Sequence, residues 1–242
     1  MSLSRRQLLC TPLLAALPAL ASATPLRMVV VDLMPWAGRN ADGQLEGVSV
    51  DLASQLSSLS GLPLVIDAVP YARAIAMLRG DGADLMLAIA ASPAHTQPPL
   101  ATLGTEDVIV VGRRGTHFSS ADQLCGHRVA LLRRASFADS LHACIARYET
   151  NSYEQGLRML HQGRLDGVAG VRTSMDYAIH HLGYQPSDYG VPLVVGKANL
   201  SLYLADQNVT PAMAARLQQA CLQLQRKKQM PALLAQYRQI RN

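Results

Sequence analysis

The chain is poor in aromatic side chains, and it has no acidic residue after Asp206. Phe, Trp and Tyr together make up 5% of its 242 residues, and Trp36 is the sole tryptophan. Nucleic-acid-binding surfaces usually combine a basic stripe with interleaved aromatic residues, or they belong to a recognisable module. Neither pattern occurs in this chain, so the sequence gives no support for nucleic-acid binding.

The chain also lacks the short motifs that identify many enzyme and metal sites. It contains no Gly-x-Ser-x-Gly turn, no phosphate-binding loop and no His-Glu-x-x-His zinc motif. His180 and His181 are adjacent, so on a helix they point in different directions and do not readily bind one metal ion. We therefore predict no catalytic residue, no metal site and no cofactor, and we expect that the protein is not an enzyme.

Positive charge is concentrated at the C-terminal end of the chain. The formal net charge is +5, but six of the 22 basic residues follow Asp206, and Arg5 and Arg6 lie near the N-terminus. Residues 24–206 carry fourteen basic and seventeen acidic residues, a net charge of −3. The body of the protein is therefore slightly acidic, and only its C-terminal face is basic.

The N-terminal segment is typical of an export signal. Arg5 and Arg6 precede the 13 mostly apolar residues Leu8–Leu20, and the small residues Ala21-Ser22-Ala23 follow as a cleavage pattern. A membrane span needs roughly 20 apolar residues, so this run is too short to be one. The arginine pair fits a twin-arginine signal as well as an ordinary Sec signal. We predict that residues 1–23 are removed and that the mature protein is periplasmic.

Short apolar runs and helical patterns alternate after this segment, and 49% hydrophobic residues suffice for a sizeable core. Apolar runs typical of covered strands occupy residues 28–31, 64–66, 85–89, 108–111, 129–132, 168–171, 193–195 and 200–205. Helical patterns occupy residues 50–59, 72–79, 137–147, 154–162 and 175–182. This alternation predicts an α/β fold with parallel strands.

The predicted elements form two similar halves. Each half contains strand, helix, strand and helix, then a glycine turn with an Asp just before an apolar strand. The Asp is Asp84 in the first half and Asp166 in the second. We predict that both carboxylates cap backbone turns, and that two equivalent lobes are connected near residues 108–114 and 194–203.

Four segments, in this order along the chain, resemble bacterial extracellular solute-binding proteins of family 3, the type II periplasmic class. The segments are Asp42–Leu52, Ala76–Gly80 with Ala83–Met86, Ser120–Ala130 and Gly163–Val168. The resemblance implies two α/β lobes that are joined by two crossover strands and close over a ligand. Lobe 1 would comprise residues 24–108 and 199–242, and lobe 2 would comprise residues 109–198.

The chain departs from the amino-acid-binding members of this class at two positions. Those members typically bind the ligand carboxylate with an Arg that follows the third strand of lobe 1, but residues 91–97 contain no Arg here. They bind the ligand ammonium with an Asp of lobe 2, where this chain has Val171-Arg172. We therefore do not expect an ordinary α-amino acid as the ligand.

The candidate site residues of lobe 1 are Trp36, Tyr71, Arg73, Ala90 and Ser92. Trp36 follows a predicted strand, so it either stacks on a ligand or packs beneath its loop. Arg73 has five fixed donors that suit a carboxylate or phosphate, or it is a surface residue at a helix start. Ala90 and Ser92 lie where, by the resemblance, backbone amides of lobe 1 meet the ligand.

The candidate site residues of lobe 2 are Arg134, Ser136 and Arg172. Ser136 is a suitable N-cap, and the free N–H groups of that helix start could bind an anion or be capped by Ser136 alone. Arg172 either attracts an anionic group or points to solvent. If Arg73 and Arg172 both face the cleft, the ligand carries a carboxylate or a phosphate.

Two cysteines are placed to form a disulfide in an exported protein. Cys125 precedes a predicted strand, and Cys144 lies near the end of the following antiparallel helix, so the two approach each other in such a unit. Cys221 has the position of a buried helix cysteine.

These observations predict a monomeric, exported solute-binding protein. Its lobes would close over a small polar molecule, anionic if both arginines face the cleft, and deliver it to an ABC permease of the inner membrane. Two alternatives stay open, namely a periplasmic ligand sensor without a transport role and a dehydratase-like enzyme on the same fold.

Overall fold

The structure is a computed structural model that describes residues 24–90, 98–133, 135 and 141–239. Its strands are β1 (Leu26–Val31), β2 (Gly38–Arg39), β3 (Leu45–Glu46), β4 (Leu64–Val69), β5 (Leu85–Ala90), β6 (Ala101–Gly112), β7 (Arg128–Leu132), β8 (Ala146–Thr150), β9 (Gly167–Val171) and β10 (Leu193–Leu204). Its helices are α1 (Val48–Ser60), α2 (Tyr71–Arg79), α3 (Tyr153–His161), α4 (Arg172–His181), α5 (Pro211–Arg226) and α6 (Gln229–Gln239). The predicted signal segment lies outside the described residues, and none of these helices is long and apolar enough to cross a membrane.

Eight strands form one mixed sheet in the order β4-β1-β5-β10-β6-β9-β7-β8. The strands β4, β1 and β5 run parallel and make up the first half-sheet. The strands β9, β7 and β8 also run parallel and make up the second half-sheet. The long strands β6 and β10 lie between them, antiparallel to each other. This arrangement, with helices packed on the sheet, confirms the predicted α/β fold class.

The two long strands change their outer partners along their length. β10 pairs with β5 from Asn199 to Leu204, and β6 pairs with β9 from Val108 to Gly112. Their central residues pair only with each other, so the chain passes twice between the half-sheets there. The sequence divided β10 into two separate apolar runs, whereas the structure has one strand. We propose these changes of partner as the lobe boundaries, with residues 24–108 and 199–242 in lobe 1 and 109–198 in lobe 2.

The predicted helix 137–147 is wrong over the part that the structure describes. Residues 141–145 form turns and bends, and β8 begins at Ala146. Backbone hydrogen bonds hold the start of β8 beside that of β7, because the Ala146 N–H donates to the His127 carbonyl at 3.0 Å. This long-range pairing overrides the local helical pattern.

A disulfide joins Cys125 to Cys144, with Cα atoms 4.8 Å apart. This is the predicted pair, but Cys144 lies in the turn before β8 rather than on a helix. The Gly126 N–H also donates to the Cys144 carbonyl at 2.9 Å. The disulfide therefore ties the turn before β7 to the turn before β8. Cys221 is buried on α5, as predicted.

The same Arg–Asp arrangement occurs once in each half of the chain. The Asp84 carboxylate accepts a hydrogen bond from the Arg27 backbone N–H at 2.7 Å, and the Asp84 N–H donates back to the Arg27 carbonyl at 2.8 Å. Asp166 and Arg128 make the same two bonds, both at 2.9 Å. Each carboxylate therefore bonds to the backbone of a strand, β1 or β7, instead of capping a turn as predicted, and the two halves are built alike.

The N-terminal loop of lobe 1 is held by the start of α1. The Val48 N–H donates to the Pro35 carbonyl at 3.0 Å, and the Ser49 N–H donates to the Trp36 carbonyl at 2.7 Å. Gly47 precedes the helix with a φ of 128°, and its N–H donates to the Tyr237 hydroxyl of α6 at 2.8 Å. The segment Asp42–Leu52 therefore acts as a support for the loop after β1.

Candidate functional site

A cavity of about 310 Å³ opens between the two half-sheets. Both half-sheets contribute to its wall, and most lining residues lie at or just beyond the carboxyl ends of parallel strands. The lining residues are Val31, Asp32, Leu33, Pro70, Tyr71, Ala72, Ile89, Leu132, Arg133, Ala135, Asn151, Tyr153 and Val171. Ligands of open α/β sheets bind at this end of the strands, and the volume lies at the lower end of the range for small-molecule sites.

The wall of lobe 1 carries one acidic side chain. Asp32 directly follows β1, and its backbone N–H donates to the Val69 carbonyl at 2.9 Å, which fixes its position. Its side chain is exposed at the cavity, and no side chain among the described residues bonds to its carboxylate. Its neighbours in the wall are mostly apolar, with Tyr71 at the start of α2. This wall therefore offers a carboxylate acceptor beside apolar and aromatic surface.

The wall of lobe 2 carries one basic side chain among the described residues. Arg133 directly follows β7, and its backbone N–H donates to the Thr150 carbonyl at 2.9 Å. Its Nε atom lies 3.7 Å from a carboxylate oxygen of Glu149, and the two side chains are 63% and 59% exposed. Exposed pairs of this kind contribute about 0–1 kcal/mol, so the guanidinium is available to another anion.

Tyr153, the first residue of α3, forms the buried floor on the same side. Its side chain is only 2% exposed, and its hydroxyl accepts a hydrogen bond from the Val171 backbone N–H at 3.2 Å. Burial raises the pKa of Tyr153, although the bond from Val171 opposes this shift. The hydroxyl therefore stays protonated at neutral pH and retains its own proton for donation. Lobe 2 thus presents hydrogen-bond donors where lobe 1 presents an acceptor.

We expect Gly170→Ala to disturb this floor selectively. A Cβ atom at Gly170 would lie 2.3 Å from Cε1 of Tyr153, so the ring would have to move. Overpacking of this kind costs about 2 kcal/mol of unfolding free energy, and movement of the ring would also disturb the bond between the Tyr153 hydroxyl and the Val171 N–H. Denaturant unfolding measures the loss, and Gly196→Ala is the matched control because nothing lies within 4 Å of its added Cβ. Equal effects of the two substitutions would contradict the packing argument.

The structure places Tyr71 in the cavity wall but not Trp36. Trp36 is 1% exposed and packs in the main hydrophobic core, and its Nε1–H donates to the Ser174 hydroxyl at 3.0 Å. The prediction that Trp36 stacks on a ligand is therefore corrected in favour of the alternative of a core residue. A strand end followed by an aromatic residue does not show which way the loop folds. Here the loop turns back over α1 and buries the ring.

Arg73 and Ala90 also lie outside the lining of the cavity. Arg73 is exposed on α2, two residues beyond Tyr71, so the turn of the helix carries it away from the wall. Ala90 is the last residue of β5 and is buried, while the preceding Ile89 contributes to the wall. Successive residues of a strand point to opposite faces, which explains this difference.

Arg172 is paired with an acidic side chain of β6 rather than facing the cavity. Its Nε atom lies 3.3 Å from a carboxylate oxygen of Asp107, and the other oxygen of Asp107 lies 2.5 Å from Nζ of Lys197. The hydrogen bond from Lys197 is the main reason why the pKa of Asp107 lies below its usual value; burial opposes this shift, and Arg172 adds a smaller lowering effect. Neither predicted environment of Arg172, the ligand or solvent, is therefore the observed one.

The first turn of α4 bonds to lobe 1 and to the connecting strands through three successive side chains. Arg172 pairs with Asp107, the Thr173 hydroxyl donates to the Glu106 carboxylate, and the Ser174 hydroxyl accepts from Trp36. Glu106 and Asp107 belong to the central part of β6, next to the proposed boundary. The contacts link α4 to the crossover region.

Three predicted site residues, Ser92, Arg134 and Ser136, lie outside the described residues, and their roles stay predictions. Sequence reasoning missed four lining residues of the polar wall, namely Asp32, Arg133, Asn151 and Tyr153. The available signal was position, because Asp32 and Arg133 each directly follow the end of a predicted strand, at 28–31 and 129–132. Among the described residues, no group of three or more His, Cys, Asp or Glu side chains could hold a metal ion.

Solved structures with similar folds bind small molecules or sense them. The substrate-binding protein of an amino acid ABC transporter aligns with a TM-score of 0.72 at 14% identity, over 88% of this chain and 98% of that one. A histidine kinase sensor domain with similarity to periplasmic binding proteins gives 0.71 at 16%, over 88% and 96%. The ancestral amino-acid-binding protein AncCDT-1, a precursor of cyclohexadienyl dehydratase, gives 0.70 at 15%, over 88% and 94%.

No family model matches the chain, and a comparison with curated proteins finds no match. The structural similarity nevertheless covers nearly the full length of each of these neighbours. The predicted resemblance is confirmed at the level of the fold, and the chain has the two-lobed fold of type II periplasmic binding proteins.

Proposed function

We propose that this protein captures a small polar molecule between its two lobes in the periplasm and delivers it to an ABC permease. The observation that carries the proposal is the cavity, because its wall combines residues from both half-sheets. A ligand that contacts both walls stabilises a closed arrangement more than an open one, and this difference drives closure. The two connecting strands, β6 and β10, are the elements about which such a hinge motion turns.

The protein contains its own reporter of this motion. Trp36 is the sole tryptophan, and its indole N–H bonds to Ser174, which belongs to the other proposed lobe. A change in the angle between the lobes alters this contact and hence the polarity around the indole ring. Intrinsic fluorescence therefore follows closure without an added label.

The test combines Trp36 fluorescence with thermal unfolding of the mature protein. The probes are amino acids, organic acids, polyamines and betaines, each added at increasing concentration. A bound ligand at 100 times its dissociation constant stabilises the native state by about 2.7 kcal/mol, which raises the unfolding temperature. We expect one chemical class to raise this temperature and to change the Trp36 emission. If no probe changes either signal, capture of a small polar molecule is contradicted.

Ser174→Ala is the control for the fluorescence signal. This substitution removes the acceptor of the indole N–H but no residue of the cavity lining. We expect it to shift the emission of the unliganded protein while leaving ligand affinity within a few-fold of the wild-type value. An unchanged emission spectrum would show that the indole does not report the contact between lobes.

Two other roles follow from the similar folds. The histidine kinase sensor domain favours a sensing role, and the dehydratase precursor favours an enzyme on the same fold. Stimulation of ATP hydrolysis by a reconstituted permease would support uptake, whereas stimulation of a kinase would support sensing. Turnover of prephenate-like acids by the purified protein would support the enzyme. Our proposal of uptake requires the first result.

A further inference from the structure

We propose that the cavity binds a dipolar ligand whose cationic group faces Asp32 of lobe 1 and whose anionic group faces Arg133 and Tyr153 of lobe 2. This inference rests on the proposed function. It names the chemical class of the ligand and its direction in the cleft. The direction is opposite to that in the amino-acid-binding proteins described above, where lobe 1 binds the carboxylate and lobe 2 binds the ammonium.

The position of Asp32 requires a cationic partner in the closed, liganded state. When a ligand fills the cavity, it displaces water from the Asp32 carboxylate. A carboxylate that loses water without gaining a counter-charge is strongly unfavourable. None of the described cations pairs with it: Arg73 is on the exposed side of α2, Arg172 is bonded to Asp107, and Arg133 of the opposite wall lies beside Glu149. With Arg133 engaged by the anionic group of the ligand, the cationic group of the ligand supplies the counter-charge of Asp32.

The wall of lobe 2 has the opposite chemistry. The Arg133 guanidinium has five donors, and its contact with Glu149 is long and exposed. The Tyr153 hydroxyl holds a proton that its bond from Val171 does not use. Two such donors on one wall suit a carboxylate or another anionic acceptor, since charge-assisted hydrogen bonds are about twice as strong as neutral ones.

The remaining wall limits the size and shape of the ligand. Val31, Leu33, Ile89, Leu132 and Val171 give the cavity a mainly apolar surface between its charged ends. A cavity of about 310 Å³ fits a small molecule but no long peptide. The charge arrangement thus points to a small zwitterion with an apolar centre. Arg73 and Arg172, whose presence in the cleft would have implied a carboxylate or a phosphate, do not line the cavity.

The inference is tested by titration calorimetry with four probes of different charge. The probes are 4-aminobutyrate and glycine betaine as zwitterions, succinate as a dianion and putrescine as a dication. We expect a zwitterion to bind most tightly. Asp32→Asn is expected to weaken its binding at least tenfold, Asp32→Glu to restore most of the affinity and Arg133→Gln to weaken it at least fivefold. Arg73→Gln is the matched control and leaves the affinity unchanged.

The possible outcomes separate this inference from the proposed function. Binding of succinate that Asp32→Asn leaves unchanged or strengthens would overturn the charge arrangement but keep the capture of a ligand. Zwitterion binding that neither Asp32→Asn nor Arg133→Gln weakens would also overturn it. If none of these four probes, nor any probe of the fluorescence panel, binds the protein, the proposed function itself fails. Circular dichroism of each variant confirms that these exposed substitutions leave the fold intact.

Discussion

Gly47→Ala is expected to lower the free energy of unfolding by about 4 kcal/mol, the largest effect that we predict for one methyl group. An added Cβ would lie 2.4 Å from the Trp36 carbonyl oxygen and 2.7 Å from Cα of Ala37. Both atoms belong to the backbone, so no side-chain rotation relieves the clash. The φ of 128° at Gly47 is also one that residues with a Cβ rarely adopt.

Gly47→Ala is also expected to move the loop after β1, because Gly47 lies where this loop crosses the start of α1. The clash pushes the Trp36 carbonyl away from the Ser49 N–H, which now bonds to it at 2.7 Å. The indole ring of Trp36 and its bond to Ser174 move with the loop. Denaturant unfolding gives the loss of stability, and Trp36 emission shows whether the loop has moved.

Gly43→Ala is the matched control for this prediction. Gly43 also has a positive φ, 76°, but nothing lies within 4 Å of its added Cβ. The backbone cost of placing a Cβ in this conformation is about 1 kcal/mol. A similar loss of stability in the two variants would show that conformational strain alone explains both, and the proposed close approach at Trp36 would be wrong.

Asp84→Asn is expected to reduce the free energy of unfolding by about 3 kcal/mol at neutral pH. The buried Asp84 carboxylate accepts hydrogen bonds from the Arg27 N–H, the Arg27 guanidinium and the Asn208 amide, at 2.7, 2.9 and 3.0 Å. The asparagine loses the negative charge and one of the two acceptor oxygens. The NH₂ group of the asparagine would also face N–H donors of Arg27 and Asn208, and two donors cannot form a hydrogen bond with each other.

The same site predicts a defined dependence of stability on pH. Burial opposes ionisation of Asp84, but the hydrogen bonds from Arg27 and Asn208 outweigh it and hold the folded pKa below the ordinary value of 3.8. The stabilisation is therefore fully present above the unfolded pKa and is lost as the pH falls through the folded pKa. The difference in stability between wild type and Asp84→Asn is expected to shrink below about pH 4.

Urea unfolding at several pH values from 7 to 3 measures this difference. Asp67→Asn is the control, because Asp67 pairs with Arg39 at 3.2 Å in a solvent-exposed salt bridge. Such pairs contribute about 0–1 kcal/mol, so the control loses little stability at any pH. A difference between wild type and Asp84→Asn that is constant from pH 7 to 3 would contradict the assigned role of the ionised carboxylate.

The equivalent residue Asp166 gives a second measurement of the same arrangement. The Arg128 backbone N–H is the main reason why the pKa of Asp166 also lies below its usual value, with burial opposing it. Its side chain is 16% exposed, compared with 5% for Asp84. We therefore expect Asp166→Asn to lower the free energy of unfolding less than Asp84→Asn does, because Asp84 is the more buried of the two.

The elements that could be predicted from the sequence are those that depend on local pattern. Continuous apolar runs gave β1, β5, β7 and β9, and the 3.6-residue period gave α1 and α3. The cavity wall at the strand ends follows from these elements and from the parallel order of the strands. The glycine turns before Asp84 and Asp166 identified the two halves. In the structure each aspartate binds a backbone N–H at the equivalent position of its half, that of Arg27 or that of Arg128.

Only the tertiary structure decided the partners of individual side chains. The sequence could not show that Trp36 bonds to Ser174, since 138 positions separate them. It also gave no indication that Asp107 neutralises Arg172, or that residues 141–145 form turns rather than a helix before β8 pairs with β7. Long-range contacts of this kind decide which charges remain free to meet a ligand. By itself, the sequence determined most of the α/β elements and the two halves, because these follow from local periodicity and spacing. It also predicted the Cys125–Cys144 pair, but from a helix at 137–147 that the structure replaces with a turn and β8. The position of Asp32 and Arg133 on facing walls depends on how the two half-sheets are joined, and only the folded chain fixes that.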